Sequence, residues 1–237
     1  MEIPVYLALT AADFRTCSLL PTHTAWLSCL FSPYGAGLSN IPKHLPNESL
    51  VILSDRTSIR NHDPELIYQI LSHTLHTLSA KGLLLDFEGP VTSASTEIVQ
   101  KLVTLPFPVA VSATHAKTLN CPVFLPFLPP SGSLETHLAT WKGREIWLEV
   151  STAAERITVS ASGATISAAE EQEILPHKDE ILHTHYGIDI DENEIRFTLQ
   201  RTIEDIQELL EAGREMGVVL GVGLHQEFLS SPKTSIG

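Results

Sequence analysis

The stretch Lys81-Gly82-Leu83-Leu84-Leu85-Asp86-Phe87-Glu88, closed by Gly89-Pro90, decides how the chain folds. A short apolar run entered by Gly and closed by Gly-Pro reads as a buried strand. Side chains alternate across a strand, so Leu84, Asp86 and Glu88 share one face and Leu83, Leu85 and Phe87 the other. With helices over the Phe87 face, both carboxylates point to the inner face of a sheet, at its C-terminal end. Unpaired carboxylates there are costly. They are held in an ion pair or cap, solvated in a cleft, or used in chemistry.

Immediately upstream, Asp63 suits a helix N-cap and Pro64 the first helical position. Leu66, Ile67, Ile70, Leu71, Leu75 and Leu78 then recur at helical spacing through Ala80. The strand Leu50–Leu53 precedes this helix, which makes a β-α-β unit and a parallel pair. Farther upstream, Pro4–Leu9 and Ala25–Phe31 read as strands. The loop Ser32–Gly37, with Pro42 and Pro46 behind it, weighs against a full helix before the third strand.

Downstream, a helix over about Thr96–Leu105 leads to the strand Val109–Ala113. A sixth strand, Val123–Phe127, is cut short by Pro126. Two helical turns through Leu134, Leu138 and Trp141 lead to a seventh, Glu145–Val150. Ile157–Ile166 then alternates around Ser162-Gly163 as a hairpin, and Tyr186–Leu199 forms a second pair turning at Asp191-Glu192-Asn193. Thr202 and Asp205 form a capping box for a helix with Ile203, Ile206, Leu209, Leu210 and Met216 on its stripe, ended by Gly217. Val218–Leu224 is the closing strand, and the polar tail after Phe228 is expected to fray.

Eight strands alternating with helices, and no linker, predict an α/β chain folded as a (β/α)8 TIM-type barrel with some helices shortened or missing. The expected organisation is a single barrel domain over 1–237, with 155–200 as a small antiparallel β insertion before the last helix.

Composition narrows the class. A chain of 237 residues with 43% hydrophobic content buries a large core. The formal charge of −13, with no basic run to offset it, argues against nucleic acid and anionic membranes as partners. Three cysteines (Cys17, Cys29, Cys121) without metal-type spacing read as free thiols. No signal-peptide pattern opens the chain and no run nears the ~20 apolar residues of a membrane span. The expected location is cytoplasmic. Among the 11 histidines, His183-Thr184-His185 and the pair His73/His76 invite a metal site. Metal-dependent barrel hydrolases carry H-x-H on the first strand, where Leu7-Ala8-Leu9 stands here, and His73 and His76 fall on the wet side of their helix. No metal or other cofactor is therefore expected.

The central strand resembles the fourth strand of the family 18 glycoside hydrolases, the chitinase-like barrels, which reads D-G-x-D-x-D-x-E. Gly82, Asp86 and Glu88 match that pattern, while Lys81 and Leu84 replace its first two Asp. The last third is similar too: a β insertion after the seventh strand, a long helix, then the Gly-x-Gly strand Gly221-Val222-Gly223-Leu224-His225. His225 falls where the family usually has a Trp under the sugar. The resemblance implies a hydrolase of N-acetylated amino sugars (chitin- or peptidoglycan-type) in which the substrate's acetamido oxygen is the nucleophile. Glu88 would be the general acid, and Asp86 would orient the acetamide and raise the Glu88 pKa.

Departures from the family are plain. Ser54-Asp55-Arg56-Thr57 replaces its Ser-x-Gly-Gly, and its sixth-strand Met-x-Tyr-Asp, whose Tyr contacts the acetamido group, has no counterpart in Val123–Phe127. Sites of this fold lie on the rim at the strand C-termini, which makes Tyr34, Asp55, Arg56, Glu149 and His225 substrate-binding candidates. Ordinary loop solvation is the alternative for each, and for Asp55–Arg56 a structural salt bridge. The implied partner is a small carbohydrate or glycan fragment, since 6% aromatic content argues against a long polysaccharide groove. A second reading is a catalytically lapsed barrel that binds a carbohydrate or a protein.

Overall fold

The computed structural model describes residues 2–17, 19–34, 36–57, 59, 62–126, 132–169 and 173–230. Strand β1 (Val5–Leu9) leads through α1 (Ala11–Thr16) to β2 (Thr24–Phe31), and the antiparallel β3 (Leu38–Ser39) follows where a crossover helix would stand. Then come β4 (Leu50–Ser54), α2 (Pro64–Thr77), β5 (Gly82–Asp86), α3 (Ser93–Leu102), β6 (Val109–Ser112), α4 (Ala113–Ala116), β7 (Val123–Leu125), α5 (Leu134–Leu138) and β8 (Ile146–Glu149). Five strands of a second sheet follow: β9 (Ala154–Ser160), β10 (Gly163–Ala169), β11 (His177–Asp179), β12 (Thr184–Ile190) and β13 (Glu194–Gln200). The chain finishes with α6 (Ile203–Gly213), β14 (Val218–Leu224) and α7 (His225–Ser230).

Eight of these strands close into a parallel barrel in the order β1-β2-β4-β5-β6-β7-β8-β14, with β14 back against β1. The central stretch is its fourth stave. Alternation sorts the core into two layers. Inside the barrel lie Tyr6, Ala8, Leu50, Ile52, Leu84, Ala110, Phe124, Trp147 and Val222. Between barrel and helices lie Val51, Leu53, Leu83, Leu85 and Phe87 with Ile67, Leu71, Leu75, Ile98 and Leu102. Gly82 is what admits Trp147: a Cβ at Gly82 would stand 2.6 Å from the Pro108 carbonyl oxygen and 3.3 Å from the indole ring.

The element boundaries shift from expectation for local reasons. The β5 ladder ends at Asp86, so Phe87 and Glu88 belong to the following turn. Helix α2 stops at Thr77 rather than Ala80 because Ser79 takes φ 50°. Helix α3 starts at Ser93, three residues early, because Thr92 and Ser95 form a capping box of their own. Strand β7 ends at Leu125; the expected extension to Phe127, like the tail after 230, lies outside the described residues.

The two hairpins expected between Ile157 and Leu199 are joined into one antiparallel sheet of order β10-β9-β13-β12-β11, and none of its strands enters the barrel ladder. Asp205, fully buried at the start of α6, fastens this sheet. Its carboxylate accepts from the Thr202 amide (2.9 Å) and hydroxyl (2.8 Å), pairs with His185 of β12 (2.7 Å) and faces Lys178 of β11 (3.1 Å). Burial pushes its pKa up, but the Thr202, Lys178 and His185 bonds outweigh that and leave it below the ordinary value.

Candidate active site

The end of β5 is held from both sides. On one side Ser112, closing β6, accepts from the Phe87 amide (2.9 Å) and donates to the Leu85 carbonyl (3.0 Å). On the other, the Asp55 carboxylate beyond β4 accepts from the amides of Glu88 (3.0 Å) and Gly89 (2.9 Å). A Cβ on Gly89 would lie 2.7 Å from Asp55 Oδ2, so only glycine lets the turn come this close. Phe87 anchors the same turn from behind, fully buried against Phe31 and His115.

Above this strand end opens a cavity of about 680 Å³ at the C-terminal mouth of the barrel. Its floor is the top of the inner layer, with Ala8, Ile52, Leu84, Phe124 and Val222. Its charged lining is mostly acidic: Asp86, Glu88, Glu149, Glu155 and Glu227 face Arg56 and Lys117. Glu227 accepts from the Ser151 hydroxyl at 2.7 Å. Asp86 is half-buried, and its pKa rises to about 6. Burial is the main cause, the neighbouring charges of Glu88 and Glu149 add to it, and Arg56 opposes it.

The rim candidates divide. Asp86, Glu88, Arg56 and Glu149 line one cavity. Asp55 sits beneath them with its carboxylate spent on two backbone amides, and among the described residues it forms no ion pair with Arg56. Tyr34 is 97% exposed and His225 is buried; neither is part of the lining. Alternation along β14 explains the latter. Leu220 and Val222 point into the barrel, so Leu224 is the next inward residue and lines the mouth, while His225 opens α7.

Three charged lining residues carried no sequence signal, and one aromatic carried a different one. Glu155 and Lys117 follow β8 and β6, Glu227 sits in α7, and Trp141, expected as helix core, turns to the cavity with Arg144 stacked 5.2 Å from its ring. The histidines go elsewhere. His73 and His76 are exposed on α2, and His183 and His185 bond Glu208 and Asp205 of α6. Among the described residues no group of three or more His, Cys, Asp or Glu is placed to hold a metal ion. No helix among them is long and apolar enough to cross a membrane.

No family model and no curated protein matches the chain. Solved structures do. The spore cortex-lytic enzyme SleL of Bacillus cereus is 10% identical over 100% of this chain and 76% of its own, with a TM-score of 0.62. A glycoside hydrolase family 18 N-acetylglucosaminidase from Paenibacillus barengoltzii is 8% identical over 94% of each chain, with a TM-score of 0.61. A class V chitinase from Nicotiana tobaccum, solved in complex with NAG4, is 10% identical over 96% of this chain and 95% of its own, with a TM-score of 0.62. This protein has the barrel fold of those enzymes, in a strongly diverged sequence.

Proposed function

We propose that the protein is a glycosidase acting on N-acetylated amino sugars, of chitin or peptidoglycan type, taken as small glycan fragments. Glu88 serves as general acid and Asp86 orients the substrate's acetamide. One observation carries the proposal: Asp86, inward-facing on the fourth stave, is half-buried with its pKa raised to about 6 in a cavity it shares with Glu88. An inward-facing carboxyl half-buried at a barrel mouth, beside a second carboxylate that lines the same cavity, is the paired arrangement such a site needs and an ordinary solvated loop lacks. The shared fold supports the same chemistry by analogy.

Below about pH 6 the Asp86 carboxyl holds its proton, and above it the carboxylate forms. As an acid, Asp86 donates to a neighbouring oxygen; as a carboxylate, it accepts an acetamide N–H. Turnover of an aryl N-acetylglucosaminide by the wild type, and its loss in Glu88→Gln, is the direct test.

The lapsed-barrel reading also has an observation in its favour. The inward position on the sixth stave is Phe124, buried in the barrel, so no tyrosine hydroxyl is supplied there for the acetamido group. Wild-type protein that binds an amino-sugar oligomer but never cleaves it would establish that reading instead.

A further inference from the structure

The register of the second sheet puts nearly all its apolar side chains on one face. Ile190, Ile195, Val159 and Ala164 form one row across β12, β13, β9 and β10, and Ile188, Phe197, Ile157 and Ile166 form the next. Nearest the barrel, Tyr186, Leu199, Glu155 and Ala168 complete the face. The other face carries Arg156, Thr158, Asp189, Arg196 and Thr198, and at its barrel end His185 bonds α6. In an antiparallel sheet with one packed and one wet face, the apolar side is the covered one. Here it is open: Ile190 is 74% exposed, Ile166 72%, Ile188 47%, Val159 40% and Ile195 37%.

Glu155 gives this face its direction. It shares the face with Ile157 and Val159 by alternation, and it also lines the barrel-mouth cavity. The aliphatic rows therefore continue outward from the cavity wall. We propose that they hold the aliphatic aglycone of an amphiphilic amino-sugar glycoside whose sugar occupies the cavity, an assignment that rests on the glycosidase reading above.

Three observations select that occupant. The two aromatics of the face, Phe197 and Tyr186, are half-buried and its exposed positions are aliphatic, which suits a hydrocarbon chain better than a sugar ring seeking a π face. Four strands of seven residues span roughly 24 by 19 Å, or about 450 Å², by the usual strand spacings. That falls short of the ~800 Å² per partner of a stable dimer. An anionic bilayer is disfavoured by the chain's charge of −13.

Calorimetric binding of 1-thio-N-acetylglucosaminides, which resist hydrolysis, tests this with alkyl chains from methyl to octyl, below their micelle concentrations. In the wild type the dissociation constant should fall about twofold per methylene, half of what full burial would give because the wall covers one side of the chain. In Ile166→Thr/Ile188→Thr/Ile190→Thr, whose positions are exposed and keep a β-branched residue, the series should be flat while the methyl glycoside binds as before. A flat wild-type series, or an unchanged slope in the variant, overturns the inference and leaves the glycosidase reading standing. Failure to bind any member of the series overturns both. A wild-type dimer in sedimentation that the triple variant dissolves also overturns it, since a second copy would then own the face.

Discussion

Replacing Asp86 by Asn should stabilise the protein at neutral pH and leave it unchanged in acid. The Asp86 carboxyl moves from an ordinary 3.8 to about 6 on folding. At about 1.4 kcal/mol per pH unit, that displacement corresponds to roughly 3 kcal/mol of disfavoured ionisation. Because the carboxyl is only half-buried and screened by cavity solvent, about 1.5 kcal/mol is the expected net effect. The sign follows from proton linkage. Below pH 3.8 both folded and unfolded chains hold the proton and nothing is lost. Between 3.8 and 6 the folded state holds more protons than the unfolded one, so stability falls as pH rises, and above 6 the full loss persists. Asparagine has the same shape and no charge to penalise. Urea unfolding of wild type and Asp86→Asn at pH 3.5 and pH 8 should give equal stability at the lower value and a more stable variant at the higher. A variant less stable at pH 8, or a difference that ignores pH, would refute the reasoning and return Asp86 to a structural ion pair.

Further outcomes follow from the same geometry. If the glycosidase reading holds, Glu88→Gln should lower turnover by about 10²–10⁴-fold with the melting temperature unchanged, since Gln cannot supply the proton. Asp55→Ala frees the amides of Glu88 and Gly89 and should cost about 1–2 kcal/mol, because a bond to a charged acceptor at a half-exposed site is worth that order; turnover should fall more than KM rises, as measured by steady-state kinetics. Gly89→Ala, which pushes a Cβ to 2.7 Å from Asp55 Oδ2, should reproduce the Asp55→Ala kinetics while every polar partner remains. Asp205→Ala removes the acceptor shared by Thr202 and His185, leaves Lys178 on Glu208, and should cost about 1.5–3 kcal/mol. Hydrogen exchange in β11–β13 should rise first, and equal protection across the molecule would contradict the role given to Asp205.

The eight staves, the fourth position of Leu83–Asp86 and the placement of Asp86 and Glu88 at its outer end were legible because they depend on local alternation and on punctuation by Gly and Pro. Periodicity assigns a face without knowing what will cover it. The Thr202/Asp205 cap was readable for the same reason, being a contact across three residues. Asp55 shows where such reading ends. Its carboxylate meets backbone amides 33 and 34 residues away, and a rim charge next to an arginine looks the same from the sequence whether it binds substrate, pairs with its neighbour or ties down a turn.

His225 and Leu224 differ by one place along β14, and only the register of the closed barrel shows which of them faces the mouth. Glu155 and Glu227 enter the site from a second sheet and a terminal helix that no motif connects to Asp86. The raised pKa of Asp86 is equally non-local, set by how deeply closure buries it and which charges closure brings beside it. Sequence determined the order of the strands and the identity of each face. Burial, register across the closing seam and the meeting of charges from distant loops were decided by tertiary structure, because they exist only once the first strand has found the last.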